Sequence, residues 1–202
     1  MVALYNKKNK EQLIEQLKKE NFNRVTLSFY RYVKINKNID ELRDYLYEKL
    51  NQINILGRIY IAEEGINAQI SIPENNLNKF RKELNSYSEF KDMELKFAVE
   101  EKLSFYKLII KVKNEIVAYK ISKNEYDIKK RGKHLNAREF NDLMDRKNSI
   151  VVDMRNHYES EVGKFENAIC PDVDTSEELL PETKKLLKNN KEDNILLYCT
   201  GG

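Results

Sequence analysis

Apolar residues in the first half of the chain switch repeatedly between a four-residue and a two-residue rhythm. Leu13, Ile14 and Leu17 form one stripe among Lys, Glu and Gln, which predicts an opening helix over about 9–20. RVTLSFYRYV (24–33) is rich in β-branched and aromatic residues, with Val25, Leu27 and Phe29 alternating, and reads as a strand. Asp40 is placed to cap the next segment, ELRDYLYEKL, where Leu42, Leu46 and Leu50 recur at helical spacing and Tyr45 and Tyr47 widen the stripe. GRIYIA (57–62) and INAQISI (66–72) flank a tight turn at Gly65 and predict a hairpin. Pro73 ends that strand and suits a helix start, since Leu77, Phe80 and Leu84 then carry the helical period. MELKFAV (93–99) closes the series as a strand. The order β-α-β-β-α-β is the ferredoxin-like split βαβ arrangement, an antiparallel four-stranded sheet with two helices on one face.

The rhythm then changes. Residues 104–121 (SFYKLIIKVKNEIVAYKI) read as one or two strands joining the halves, and 126–137 lack an apolar period and read as a linker or exposed loop. Asn136 with Glu139 forms a capping-box pattern before a helix carrying Phe140, Leu143 and Met144. SIVVDMR (149–155) is a short continuous apolar run, as in a strand buried on both faces. A helical HYESEV, a strand candidate FENAIC, a helix opening near Pro181 and the strand NILLYC follow. Alternating helices and apolar strands predict an α/β part with a mostly parallel sheet. The expected class is therefore α+β followed by α/β, with domains at 1–99 and 134–202 and a connection at 100–133.

Composition narrows the function. With 202 residues, 41% apolar and 34% charged, the chain can pack two small domains. Its longest apolar runs fall far short of the roughly twenty residues a membrane helix needs. The polar, amphipathic start does not resemble a signal peptide, so a cytoplasmic location is expected. Residues 1–150 carry 30 basic and 22 acidic groups (+8), against 6 and 11 (−5) for 151–202, so a polyanion would meet the first part. Lys129, Lys130, Arg131 and Lys133 form a basic run beside His134 that either contacts a nucleic-acid backbone or is a solvated loop. The aromatics Phe29, Tyr30 and Tyr32 either stack bases, if exposed, or pack within the sheet.

The strongest chemical signal is the final ILLYCTGG. Ligands in parallel sheets bind at the carboxyl ends of strands, and Cys199 lies there, followed by Thr200, Gly201 and Gly202. Glycines at such a place let backbone N–H groups surround an anion and favour a thiolate; the plainer reading is a buried Cys before an ordinary turn. Asp153 and Arg155, at the end of VVDMR, face the same edge if the two strands are parallel neighbours. They form either a structural ion pair or a group that positions the loop. Cys170 reads as a small buried hydrophobe. No dinucleotide fingerprint is present, and His134 and His157 lack metal-ligand spacing, so neither a cofactor nor a metal is expected.

VVDMRNHYESEVGKFENAIC resembles the rhodanese signature, and YCTGG resembles the opening of the rhodanese active-site loop. RIYIAEEGINAQIS, SFYKLIIKVKNEIV and GKHLNAREFNDLM are similar to stretches of the bacterial rhodanese-domain family that hydroxylates the wobble uridine of tRNA. The resemblance covers nearly the whole chain. It implies a partial rhodanese domain over 134–202, a tRNA partner, dioxygen as co-substrate and formation of 5-hydroxyuridine. It also implies that Cys199 is the persulfide-forming or otherwise reactive thiol. The family's loop continues after CTGG with Ile, Arg and a second Cys, whereas this sequence ends at Gly202, so the chain alone is expected to be inactive. Two other readings stay open at this point: sulfur transfer through a Cys199 persulfide, and a non-catalytic RNA-binding or interaction protein.

Overall fold

The computed structural model describes residues 4–98, 105–122, 125–127 and 130–200. Its contacts divide the chain into two units, Met1–Ile116 and Val117–Gly202.

The first unit opens with α1 (Lys10–Lys18), held at its start by a reciprocal capping box between Asn9 and Gln12. Strand β1 (Arg24–Tyr32) leads into α2 (Ile39–Gln52). The cap of α2 is Asn38 rather than Asp40: the Asn38 side chain accepts from the Asp40 and Glu41 amides, and Asp40 sits in the first turn, where its charge suits the helix dipole. Strands β2 (Leu56–Ala62) and β3 (Gly65–Pro73) form the expected hairpin. Gly65, at φ +147°, is required there, because a Cβ would collide with the Arg31 carbonyl oxygen of β1. A 3-10 turn (Glu74–Asn76) separates Pro73 from α3 (Leu77–Asn85), and the closing strand β4 shrinks to Lys96–Phe97.

The sheet has five strands, not four. Residues 104–121, expected to join the halves, instead supply β5 (Leu108–Val112), which pairs parallel to β2 in the order β4-β1-β3-β2-β5. All other pairings are antiparallel. Ile59, Ile61, Ile66, Ile70 and Ile72 point from one sheet face into a core closed by Leu46 and Leu50 of α2 and Phe80 of α3, all at most 1% exposed. Alternation therefore built the core face as the sequence predicted.

In the second unit, Asn136 and Glu139 form the predicted capping box on α4 (Ala137–Met144). Strands β6 (Ser149–Asp153) and β7 (Asn194–Tyr198) pair in parallel. Between them lie α5 (His157–Val162) and α6 (Ser176–Leu186). FENAIC contributes a single parallel bridge, Val152 to Ile169, instead of a full strand. Helix α6 opens at Ser176, capped by the Thr175 hydroxyl, with Pro181 inside it; the missing Pro N–H costs one hydrogen bond at the second turn. The core is thin: Val151, Ala168 and Leu196 form one cluster flanked by Leu135, Phe140, Leu143, Met144 and Tyr198, and Val152 and Leu179 are buried besides. Among the described residues no helix is long and apolar enough to cross a membrane.

Candidate active site

The parallel register of β6 and β7 sets Asp153 beside Tyr198 at the carboxyl end of both strands. Register partners project to the same face, and the pair is in contact: the Tyr198 hydroxyl donates to Asp153 Oδ2 at 2.7 Å. Asp153 is only 1% exposed, so its carboxylate needs donors. Arg155 supplies a bidentate pair, Nε to Oδ1 at 2.9 Å and Nη2 to Oδ2 at 2.6 Å, and its backbone N–H adds a third contact at 3.0 Å. The D-x-R spacing makes this possible, because the chain turns back immediately after the strand.

The network continues outward. Arg155 Nη2 also donates to the Gly163 carbonyl at 2.6 Å, and the guanidinium lies 5.3 Å from the centre of the Tyr198 ring. The Phe165 N–H donates to the Tyr198 hydroxyl at 3.3 Å, while the Phe165 ring meets Tyr198 edge to face at 4.8 Å and Phe140 at 5.3 Å. Arg155, Gly163, Phe165 and Tyr198 are thus linked around one carboxylate.

Charge follows from this geometry. Burial pushes the Asp153 carboxyl up, but donation from Arg155 and Tyr198 outweighs it and holds the group below the usual aspartate value. Donation to Asp153 raises the Arg155 guanidinium further, so both partners stay ionised. Burial, followed by donation to Asp153, raises the Tyr198 phenol, which stays protonated and can keep donating.

Cys199 follows Tyr198 directly, half-buried at the mouth of this network. It lines a shallow cleft of about 560 Å³ with Arg155, Glu159, Lys164, Phe165, Tyr198 and Thr200. The Thr200 hydroxyl donates to Glu159 Oε2 at 2.8 Å, tying the start of the loop to α5. Burial, and then charge at Cys199, raise the Tyr119 phenol, so Tyr119 belongs to the surroundings of the thiol. A larger depression along α6, walled by Glu177, Glu178, Glu182 and Lys185, has no nucleophile. The arrangement presents a sulfur nucleophile at a strand end, in a cleft whose rim carries the cations Arg155 and Lys164.

Cys199, Thr200, Asp153 and Arg155 are therefore brought together, with Asp153 and Arg155 as an ion pair beneath the loop. Gly201, Gly202 and Lys129 lie outside the described residues. Lys130 and Arg131 are exposed, while Lys133 is engaged by Glu139 at 2.6 Å. Cys170 stands apart from the cleft, its thiol donating to the Ala168 carbonyl at 3.6 Å. Sequence reasoning did not single out Tyr198, Glu159 or Phe165. The aromatic just before Cys199 was a signal for Tyr198, but its partner lies 45 residues away.

Two family models match the chain: a UPF0176 acylphosphatase-like domain over residues 24–116 and a rhodanese-like domain over 136–202. A protein of Leptospira interrogans named tRNA uridine(34) hydroxylase is 54% identical over 200 residues, covering 98% of this chain and 54% of the relative. Its namesake in Photorhabdus laumondii is 41% identical over 204 residues, 100% of this chain and 58% of the relative. The chain is similar to these relatives through both matched domains. It spans little more than half the length of these curated relatives. A third relative, from Buchnera aphidicola, carries the same name at 40% identity, with 100% of this chain and 65% of the relative covered. The rhodanese match spans the entire Asp153–Arg155–Tyr198 network and Cys199.

Proposed function

We propose that this chain is the acylphosphatase-like and rhodanese part of an enzyme that hydroxylates the wobble uridine of tRNA to 5-hydroxyuridine. The 54% identity to a relative named tRNA uridine(34) hydroxylase, running through both domains, carries the reading. In this reading Cys199 is the reactive thiol. Arg155, neutralised by Asp153 and held over the Tyr198 ring, fixes the strand end beside the thiol, and Lys164 brings positive charge to the cleft rim, where an anionic group of the substrate can be met. Dioxygen is the co-substrate: one of its atoms becomes the 5-hydroxyl oxygen and the other leaves as water, with two electrons taken from an external reductant, and the enzyme works in the cytoplasm, where tRNA is found.

The test is isotopic. Cells are grown under isotopically heavy dioxygen with the gene intact or deleted, and their tRNA nucleosides are read by mass spectrometry. The proposal expects heavy-labelled 5-hydroxyuridine in the intact strain and its loss on deletion. Unlabelled product, or a level unchanged by deletion, contradicts it.

A further inference from the structure

The five strands of the first unit contain Arg24, Arg31, Arg58, Lys96 and Lys111 and not one Asp or Glu. Two of these cations are committed: Arg24 to Glu20, and Arg31 to the carbonyls of Lys91 and Asp92. The other three sit on strand positions that alternate with the core residues, so they project from the face turned away from α2 and α3. Among the described residues none of the three is in a salt bridge.

Register places them with an aromatic ring. Across β2 and β5, Arg58 pairs with Ile109 and Tyr60 with Lys111, giving a two-by-two patch; Gln69 of β3 stands beside Arg58. Arg58, Gln69 and Lys111 are exposed, and Tyr60 is half-buried with the Lys113 ammonium 5.5 Å from its ring centre. Arg58 lies 5.9 Å from the centre of the Phe105 ring, and Lys107 5.7 Å from that of Tyr106. One corner is occupied, since the Asn67 amide donates to the Ile116 carbonyl. The Ile116 N–H at that corner is taken by the Glu64 carboxylate, and elsewhere, among the described residues, the strand positions of this face carry cations interleaved with rings and no acidic residue. Alternation on a solvated sheet face normally mixes charges of both signs, so a face with one sign and aromatic rings asks for a polyanion with flat groups to stack.

We propose that this sheet face, centred on Arg58, Tyr60, Gln69 and Lys111, docks unpaired RNA nucleotides, with a base stacked on Tyr60 and phosphates against the surrounding cations. Arg58 and Lys111 neutralise phosphates, and Gln69, able to donate and accept, reads a base edge or a 2′-hydroxyl. This rests on the tRNA reading above and assigns the first unit a role in holding the substrate.

Binding of a fluorescein-labelled RNA hairpin with an unpaired loop to the full chain tests it, with a fully paired RNA of equal length for comparison. The wild type is expected to prefer the hairpin. R58E/K111E is expected to weaken hairpin binding at least tenfold and to reduce the slope of log affinity against log salt by about 1 to 2. K79E/K82E, which reverses two exposed charges on α3, is the control for net charge and is expected to bind normally. Tyr60→Leu is expected to lose about tenfold, with Tyr60→Phe close to wild type. Melting temperatures confirm folding, and the exposed double variant keeps the test valid should Tyr60→Leu unfold. Undiminished binding by R58E/K111E, an equal loss in K79E/K82E, or equal affinity for paired RNA overturns the inference. A folded Tyr60→Leu that binds normally assigns the face to an acidic protein or other unstacked polyanion and also overturns it. These outcomes leave the hydroxylation reading standing, and only the isotope experiment decides that.

Discussion

The two units distribute their order in opposite ways. In the first, Leu27 and Phe29 of β1, Ile59 and Ile61 of β2, and Ile66, Ala68, Ile70 and Ile72 of β3 share one face, all at most 3% exposed, and two helices close over them. In the second, the buried apolar side chains are few, Val151, Val152, Ala168, Leu179 and Leu196 among the described residues, while the best-connected group is a carboxylate at the end of the sheet. Apolar burial is non-directional and tolerates repacking, so it makes a dependable scaffold. A buried carboxylate is directional: it fixes Arg155, Tyr198 and the turn at Phe165 in one geometry and is costly when any partner is lost. The second unit has concentrated its specificity where the thiol emerges.

Substitutions that damage one kind of order and spare the other sharpen this contrast. The largest stability effect belongs to the apolar unit: Phe80→Ala is expected to cost about 3 to 5 kcal/mol in urea unfolding, because Phe80 is fully buried against Phe29. A cost under about 1 kcal/mol would show that the core is not close-packed. Next comes Asp153→Asn, expected to cost about 3 kcal/mol, since it removes the charge that Arg155 and Tyr198 are built around. Repacking without loss would make the network incidental.

The same carboxylate sets an acid limit. Its folded pKa lies below the ordinary aspartate value, so on acidification the unfolded chain takes up its proton first. The Asp153 contribution is complete above the ordinary value of about 4 and drains away as pH falls through the folded one. Urea midpoints of wild type and Asp153→Asn should therefore converge at acid pH; a constant gap would remove Asp153 as the cause. The smallest effect is that of Tyr198→Phe, about 1 to 2 kcal/mol for the two hydrogen bonds of its hydroxyl, to Asp153 and from the Phe165 N–H, with the ring contacts to Phe165 and Arg155 retained.

What the sequence made legible follows the same division. Strands β1 to β3 and helices α2 and α3 declare themselves through period and turn residues, because one face of each meets a core. The run that holds β5 reads as a strand too, but not as a member of this sheet, since LIIKV carries no alternation and its parallel partner β2 lies about fifty residues earlier. The start of α6 was displaced because Pro181 looks like a first-turn proline, whereas the Thr175 hydroxyl already caps the helix. At the site, Asp153, Arg155 and Cys199 were visible through local spacing and resemblance. Tyr198 was not, because its role arises from the register of two strands, which no local pattern encodes.

The central claim is that the strand-end thiol is the reactive group. It is tested most directly by the 5-hydroxyuridine content of tRNA from cells whose chromosomal gene carries Cys199→Ser, beside cells carrying Cys170→Ser. The account predicts loss of 5-hydroxyuridine with Cys199→Ser and a wild-type level with Cys170→Ser. Undiminished 5-hydroxyuridine in the Cys199→Ser strain would contradict it.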